Sequence, residues 1–138
     1  MDNHFMEYND ILNKINEVQT KIIELKESIY SVKGVSYDDV PKGTGKNIDI
    51  VYFLAEIEEL EIELMALNSK KAMLKKKHEE EIDKLKNCNY KSLLRMYYIY
   101  KFDKYKIADT MNISVGHFHR LKREAISDFL TSIINEYQ

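Results

Sequence analysis

Residues that break α-helices are confined almost entirely to one short stretch of this chain. Its 138 residues include one Pro and four Gly, and Pro41 and three of the Gly fall between Gly34 and Gly45. Pro removes a backbone donor, and Gly costs about 1 kcal/mol relative to Ala inside a helix, so both mark places where helices end. The sequence therefore predicts an all-α protein in two parts, residues 1–86 and residues 87–138.

The first part opens with a heptad pattern over residues 8–32. Apolar residues recur there at alternating spacings of three and four, with Glu and Lys between them, which is the a/d seam of a coiled coil. The seam residues are Tyr8, Ile11, Ile15, Val18, Ile22, Leu25, Ile29 and Val32. A seam this narrow stays exposed to water unless a second helix covers it, so we expect a partner helix.

The stretch 33–46, KGVSYDDVPKGTGK, interrupts the heptads and is predicted to be a loop. Its Gly-rich end precedes a helix, an arrangement that can cradle a phosphate. We reject that interpretation because GTGK lacks the spacing of a Walker loop and no strand precedes it. In addition, Asn47 stands where Ser or Thr should hold magnesium.

Residues 48–86 form the second predicted helix, which would be roughly 60 Å long, so the first helix can fold back antiparallel along its first half. Its seam comprises Ile50, Phe53, Leu54, Ile57, Leu60, Leu64, Leu67, Lys71, Leu74, His78, Glu81, Ile82 and Leu85. A second apolar strip comprises Val51, Ala55, Ile62 and Met65. This strip is left over for another chain, so we expect a homodimer or a higher homo-oligomer.

Lysines at 70, 71, 75, 76 and 77 precede three glutamates at 79–81 on the same helix. Pairs of opposite charge four residues apart, such as Lys77 and Glu81, stabilise a solvated helix, and we favour this interpretation. The alternative is that the lysines contact the phosphates of a nucleic acid.

The stretch 103–123, DKYKIADTMNISVGHFHRLKR, has the pattern of a helix, a tight turn and a second helix. Asp103 and Ser114 suit the two N-caps, because their side-chain oxygens can accept from free N–H groups of a first turn. Asn112 stands at the turn, and Asn is among the few non-Gly residues that tolerate the left-handed region. The inner stripe comprises Ile107, Ala108, Met111, Phe118, Leu121, Ala125 and Ile126. A preceding helix, 90–100, would complete a small bundle.

The net charge of −2 is distributed unevenly along the chain. Residues 1–46 carry 6 Lys and Arg against 8 Asp and Glu, and residues 47–89 carry 7 against 10. Residues 90–138 carry 8 against 5, together with His117 and His119. Attraction to DNA would therefore be local to the helix–turn–helix segment, and the acidic helices elsewhere would limit nonspecific binding.

Several other functions are not supported by the sequence. Cys88 is the single cysteine, so no intramolecular disulfide can form and a cytoplasmic location is expected. No apolar run approaches the ~18 residues of a membrane span, and the N-terminus lacks a signal-peptide pattern. His117 and His119 diverge by about 200° on a helix, and His78 stands in a weak seam position, so we expect no metal site and no cofactor. No set of catalytic groups is visible, and we expect no enzyme activity.

The C-terminal part resembles region 4 of the sigma-70 family, which binds the −35 promoter element. The likeness rests on the segment 93–98 and on Phe102, Ile107, Ala108, Ile113, Ser114, Phe118, Leu121 and Ala125. The order of helical hairpin, Gly/Pro loop and late helix–turn–helix is similar to that of ArpU- and RinA-type phage transcriptional regulators. Those are small late-gene activators encoded in prophages of low-GC Gram-positive bacteria. The family usually has Arg where Tyr97 stands, and often Gly where Lys101 and Asn112 stand.

The resemblance implies binding to double-stranded DNA through the second helix of the helix–turn–helix. The implied base-contacting residues are Val115, Gly116, His117, His119 and Arg120. The implied phosphate contacts are Ser114, Lys104, Lys106, Lys122 and Arg123. Arg120 can make the bidentate contact to guanine, Val115 can touch a thymine methyl, and Gly116 lets the helix start approach the duplex.

We therefore expect a sequence-specific transcription regulator, a phage or prophage late-gene activator acting with host RNA polymerase in the bacterial cytoplasm. The chain lacks the DNA-melting parts of a sigma factor, so it would recruit or reposition polymerase. The alternative is an interaction or assembly protein with a structural helix–turn–helix. A small terminase subunit or an inhibitor of a host complex would fit that description. The basic C-terminal third favours the regulator.

Overall fold

The computed structural model describes residues 3–34 and 45–136, with side chains left undescribed at 32–34 and 45–48. Every regular element within these ranges is helical, which confirms the all-α class. The helices are α1 (Met6–Gly34), α2 (Gly45–Asp83), α3 (Cys88–Leu94) continued by a π-helical turn (Arg95–Ile99), α4 (Lys104–Met111) and α5 (Val115–Glu136). None of them, over these residues, is long and apolar enough to cross a lipid bilayer. Residues 35–44 of the predicted Gly/Pro loop lie outside the described residues, as does the side chain of Val32.

Local hydrogen bonds explain where α2 ends and α3 begins. The backbone N–H of Leu85 donates to the Ile82 carbonyl at 3.0 Å, and this turn ends α2 at Asp83 rather than at the predicted residue 86. The side chain of Asn87 then accepts from the N–H groups of Asn89 and Tyr90. Asn87 is therefore the N-cap of α3, which starts at Cys88, two residues before the predicted start.

The chain forms two compact units. One comprises Asn9–Lys71, and the other comprises the residues up to Tyr8 together with those from Ala72 onward. The sequence analysis predicts a boundary between the two parts of the chain at residues 86 and 87. The difference arises because Phe5, Ile82 and Leu85 are buried in the same apolar core as the C-terminal helices. The end of α2 and the residues around Phe5 thus belong to the unit that contains α3, α4 and α5.

The unit Asn9–Lys71 is built on the two predicted seams. Its buried cluster comprises Val18, Ile22 and Ile29 of α1 and Ile57 of α2, with Leu25, Phe53, Leu60, Leu64 and Leu67 partly buried around it. At its edge the Lys26 ammonium lies 4.0 Å from a Glu61 carboxylate oxygen. The second apolar strip of α2 stays exposed, with Val51 and Ile62 each 63% exposed and Met65 71% exposed.

The other unit has a larger core, formed by α3, the π-helical turn, α4, α5, the end of α2 and Phe5. The buried residues are Phe5, Ile82, Leu85, Leu93, Leu94, Met96, Tyr98, Ile99, Ile107, Ala108, Phe118, Leu121, Ala125 and Phe129. A single α-helix was expected over residues 90–100, but the N–H of Tyr100 donates to the carbonyl of Arg95, five residues back, at 3.0 Å. This wider turn places Met96, Tyr98 and Ile99 in the core.

Candidate nucleic-acid interface

The start and the end of α4 are set by two polar residues. The Asp103 carboxylate accepts from the Lys106 N–H at 2.8 Å, and Ile107 and Ala108 are buried one turn later. The helix ends at Asn112, which has φ 61° and ψ 43° in the left-handed region. These observations confirm the predicted N-cap and the predicted turn residue. Lys101 has φ 59°, so both positions at which the resembling family often carries Gly have positive φ.

Ser114 begins α5 as expected. Its Oγ accepts from the backbone N–H of His117 at 3.0 Å, and its carbonyl accepts from the N–H of Phe118 at 2.9 Å. The hydroxyl acts as an acceptor in this cap, so its own proton can still be donated outward. Three residues, 112–114, therefore connect α4 to α5 with the helix start fixed by hydrogen bonds.

The inner sides of α4 and α5 pack against each other in the core. Ile107 and Ala108 from α4 and Phe118, Leu121 and Ala125 from α5 are all buried in one cluster. The small side chain of Ala108 suits a close crossing of two helices. This packing turns the opposite side of α5 toward solvent.

The outward face of α5 is formed by Gly116, Arg120 and Arg123. At 100° per residue these positions lie opposite Phe118 and Leu121, and all three are exposed. A Cβ placed on Gly116 would have Ser114 Oγ, at 4.0 Å, as its one close neighbour, so the surface above it is open. Neither guanidinium takes part in an ion pair within residues 3–34 and 45–136. We call these three residues the outward face.

Three further residues predicted to contact bases have different surroundings. Val115 is half-buried and packs against the core, so the structure does not bring it to the outward face. His117 and His119 are exposed on either side of α5. The ring of His119 lies edge-on to Phe118 at 5.3 Å between centroids, which holds it beside the helix.

The lysines predicted to contact phosphates all lie over aromatic rings. The Nζ atoms lie 5.2 Å from the Tyr105 centroid for Lys104, 3.8 Å from Phe102 for Lys106 and 4.0 Å from Tyr97 for Lys122. Such cation–π contacts contribute about 0.5–1 kcal/mol at exposed sites.

Lys122 differs from the other basic residues of α5 because it is half-buried at the edge of the core. Tyr97, whose ring its ammonium covers, was not among the predicted site residues. The two positions are 25 residues apart, and no local pattern pairs them. Arg120 and Arg123 are therefore the cations of α5 that are exposed and outward-facing.

Comparison with curated proteins and with solved structures gives no match. A family model described as a protein of unknown function (DUF1492) matches residues 29–129. The matched range contains all of α2, α3 and α4 and most of α5, and it covers well over half of the chain. The chain therefore belongs to the DUF1492 family.

Proposed function

We propose that this protein is a sequence-specific transcription regulator that binds double-stranded DNA with α5 in the major groove. The observation that carries the proposal is the outward face. In this face a residue without a side chain is followed, at helical spacing, by two exposed arginines that make no ion pair among the described residues. The face directly follows a capped helix start and a three-residue turn. This order of parts is typical of a helix–turn–helix whose second helix contacts base edges.

The spacing along α5 suits a helix that enters the groove by its first turns. At about 1.5 Å per residue, Arg120 lies roughly 6 Å beyond Gly116 along the axis, and Arg123 lies about 4.5 Å further. With no side chain at Gly116, the first turn can come close to the bases. Arg120 would then reach guanine O6 and N7, and Arg123 would reach a phosphate where the helix leaves the groove.

The flanking cations would supply affinity rather than sequence discrimination. Lys104 and Lys106 begin α4, close in sequence to the turn that precedes α5, and the Ser114 hydroxyl proton is available at the α5 start. Moving a lysine from an aromatic ring to a phosphate exchanges one weak contact for a charge-assisted one. We assign Lys122 mainly to the packing of Tyr97 and only secondarily to DNA.

We further propose that the protein binds DNA as a homodimer or higher homo-oligomer through the second apolar strip of α2. The strip is exposed over several turns, and α2 also carries Met73 at 73% exposed. A second copy of the same strip is the simplest apolar partner, because an isologous contact pairs one surface with itself. The two α5 helices of such a dimer would bind two half-sites of one DNA site.

The resemblance to sigma-70 region 4 and to ArpU- and RinA-type regulators supports a more specific role. We propose that the protein activates late genes of a phage or prophage together with host RNA polymerase, in the cytoplasm of the bacterial host. The exposed apolar strip also favours an alternative, in which the protein is an assembly or interaction protein such as a small terminase subunit.

Gel retardation on two DNA fragments from the genome that encodes the protein separates these functions. A late-gene regulator should retard the late promoter region at lower protein concentration than the packaging site, and excess random DNA should not abolish the shift. Preference for the packaging site would favour the assembly protein. Equal retardation of both fragments and of random DNA would contradict sequence-specific binding.

A further inference from the structure

Two histidines and a glutamate converge in the unit that contains α3, α4 and α5, and none of them is among the residues proposed to contact DNA. His4 Nε2 lies 3.0 Å from both carboxylate oxygens of Glu81, and His78 Nδ1 lies 2.8 Å from Glu81 Oε1. His78 and Glu81 are three positions apart on α2, whereas His4 lies in the turn before α1. We call these three residues the His–Glu cluster.

The His–Glu cluster is enclosed by aromatic side chains. His78 is 2% exposed and Glu81 is 7% exposed. The Phe5 ring lies 4.6 Å from the His78 ring, and the Phe129 ring lies 5.5 Å from the His4 ring, between centroids. The His4 side chain keeps 22% of its surface exposed, so one path connects the cluster to solvent.

The Glu81 carboxylate is buried in this apolar enclosure, and both imidazoles hydrogen-bond to it. In addition, His78 Nε2 is buried without a hydrogen-bond partner among the described residues.

A carboxylate buried in this way is costly unless a cation balances it. The donor set identifies which cation fits. Two imidazole nitrogens with one carboxylate suit Zn²⁺ and similar divalent transition metals, whereas Mg²⁺ and Ca²⁺ prefer oxygen ligands alone. One candidate ligand atom from each residue lies within 4.8 Å of the other two, which is compatible with a single shared ion.

Binding would require only a small opening of the cluster. Zinc bonds of about 2.1 Å in a tetrahedral site place ligand atoms roughly 3.4 Å apart. The imidazole nitrogens of His4 and His78 lie 3.0 and 2.8 Å from Glu81 carboxylate oxygens, and all candidate ligand atoms lie within 4.8 Å of one another. His4 precedes α1 and is partly exposed, so it can move by a few tenths of an ångström more easily than the two residues on α2. Each neutral imidazole would bind the ion through the nitrogen that now faces Glu81 and would carry its proton on the other ring nitrogen. A fourth position would be left for water.

We propose that His4, His78 and Glu81 form a binding site for Zn²⁺ or a chemically similar divalent transition metal. The ion ties the turn before α1 to the end of α2, although His4 and Glu81 are 77 positions apart in the sequence. Because the metal binds the folded chain, it raises thermal stability with the logarithm of its concentration above the dissociation constant. This site is independent of the proposed DNA interface.

Isothermal titration of the metal-free full chain with Zn²⁺, and separately with Mg²⁺, tests the proposal. We expect one saturable Zn²⁺ site per chain, a rise in Tm with added Zn²⁺ and no effect of Mg²⁺. Co²⁺ bound at the same site should give the intense visible absorption of a tetrahedral or five-coordinate ion. Failure of the wild-type chain to bind Zn²⁺ at a single site would overturn the proposal without any variant.

Matched variants locate the ion. His4→Gln changes the partly exposed ligand, and Glu81→Gln keeps an oxygen that can accept a hydrogen bond, so circular dichroism should show both folded. Neither variant should bind Zn²⁺ at one site per chain, and added Zn²⁺ should not raise the Tm of either. The double variant His117→Gln, His119→Gln removes the remaining histidines and should bind as wild type does. If the first two variants bind normally, or if the double variant loses binding, the ion lies elsewhere and the His–Glu cluster is only a hydrogen-bonded contact.

Discussion

Replacing Gly116 with Ala should raise the stability of the protein and weaken its binding to DNA. A Cβ at this position meets no heavy atom closer than Ser114 Oγ at 4.0 Å, so the folded chain accepts the methyl group without strain. Removing Gly from a helical position reduces the freedom of the unfolded chain, which should raise the free energy of unfolding by about 0.5–1 kcal/mol. Urea denaturation measures this gain.

The same methyl group would stand between α5 and the DNA. If the first turn of α5 lies against base edges, the added methyl holds the helix away and lengthens the Arg120 contact to guanine. Loss of one bidentate contact is worth about 1–3 kcal/mol, which corresponds to roughly 5- to 150-fold in the dissociation constant. Fluorescence anisotropy on a selected duplex would measure the change.

Ser127→Ala is the matched control for Gly116→Ala. Ser127 is exposed on the same side of α5, about 16 Å further along the helix, and Ala should again favour the helix by a few tenths of a kcal/mol. Its DNA affinity should stay at the wild-type value. If Gly116→Ala also binds DNA as tightly as wild type, the first turn of α5 does not approach the duplex, and the proposed docking is wrong.

Three more outcomes are expected. Arg120→Ala should lose about 1–3 kcal/mol on its specific site and little on random DNA, whereas Arg123→Ala should weaken both and lower the salt slope by roughly one unit in a salt-series titration. Asn112→Ala should lower the free energy of unfolding by about 1 kcal/mol in urea denaturation, because φ is 61° at this position, whereas Asn112→Gly should not lower it. If both variants lost the same stability, the left-handed conformation of Asn112 would not be the cause. Ile62→Asp should convert a dimer to a monomer in light scattering at unchanged helicity, and a monomeric wild-type chain would contradict the α2 interface.

Features that depend on neighbours within one or two turns were predictable from the sequence. Asp103 and Ser114 cap their helices because each side chain accepts from an N–H three residues on. Asn112 adopts the left-handed conformation because Asn tolerates it. The stripes of α4 and α5 are buried as their spacing indicates, although Met111 and Ile126 are only partly buried.

Features that depend on distant residues were not predictable. Phe5 precedes the first heptad and carries no periodic signal, yet it is fully buried. Glu81 was paired with Lys77 by the i,i+4 rule, but it hydrogen-bonds to His78 and to His4 instead. The spacing of His78 and Glu81 was visible in the sequence, whereas the position of His4 depends on the fold.

Which residues of α5 face outward also depends on how the helix packs in the fold. The outward face follows from helical periodicity once the buried stripe of α5 is known. Val115 and Lys122 have the residue types expected of DNA contacts, but their positions lie about 40–60° from Phe118 around the helix and border the core. Residue type alone therefore does not distinguish an outward position on α5 from one that borders the core, whereas the helical position does.

Selection of DNA sequences from a random pool, followed by guanine methylation interference on the enriched motif, tests the central claim most directly. If α5 reads the major groove through Arg120, the wild-type chain should enrich a defined motif. Methylation at N7 of one guanine in each half-site should block binding, and Arg120→Ala should lose sensitivity to that guanine. Enrichment of no motif, or the same interference pattern for wild type and Arg120→Ala, would contradict it.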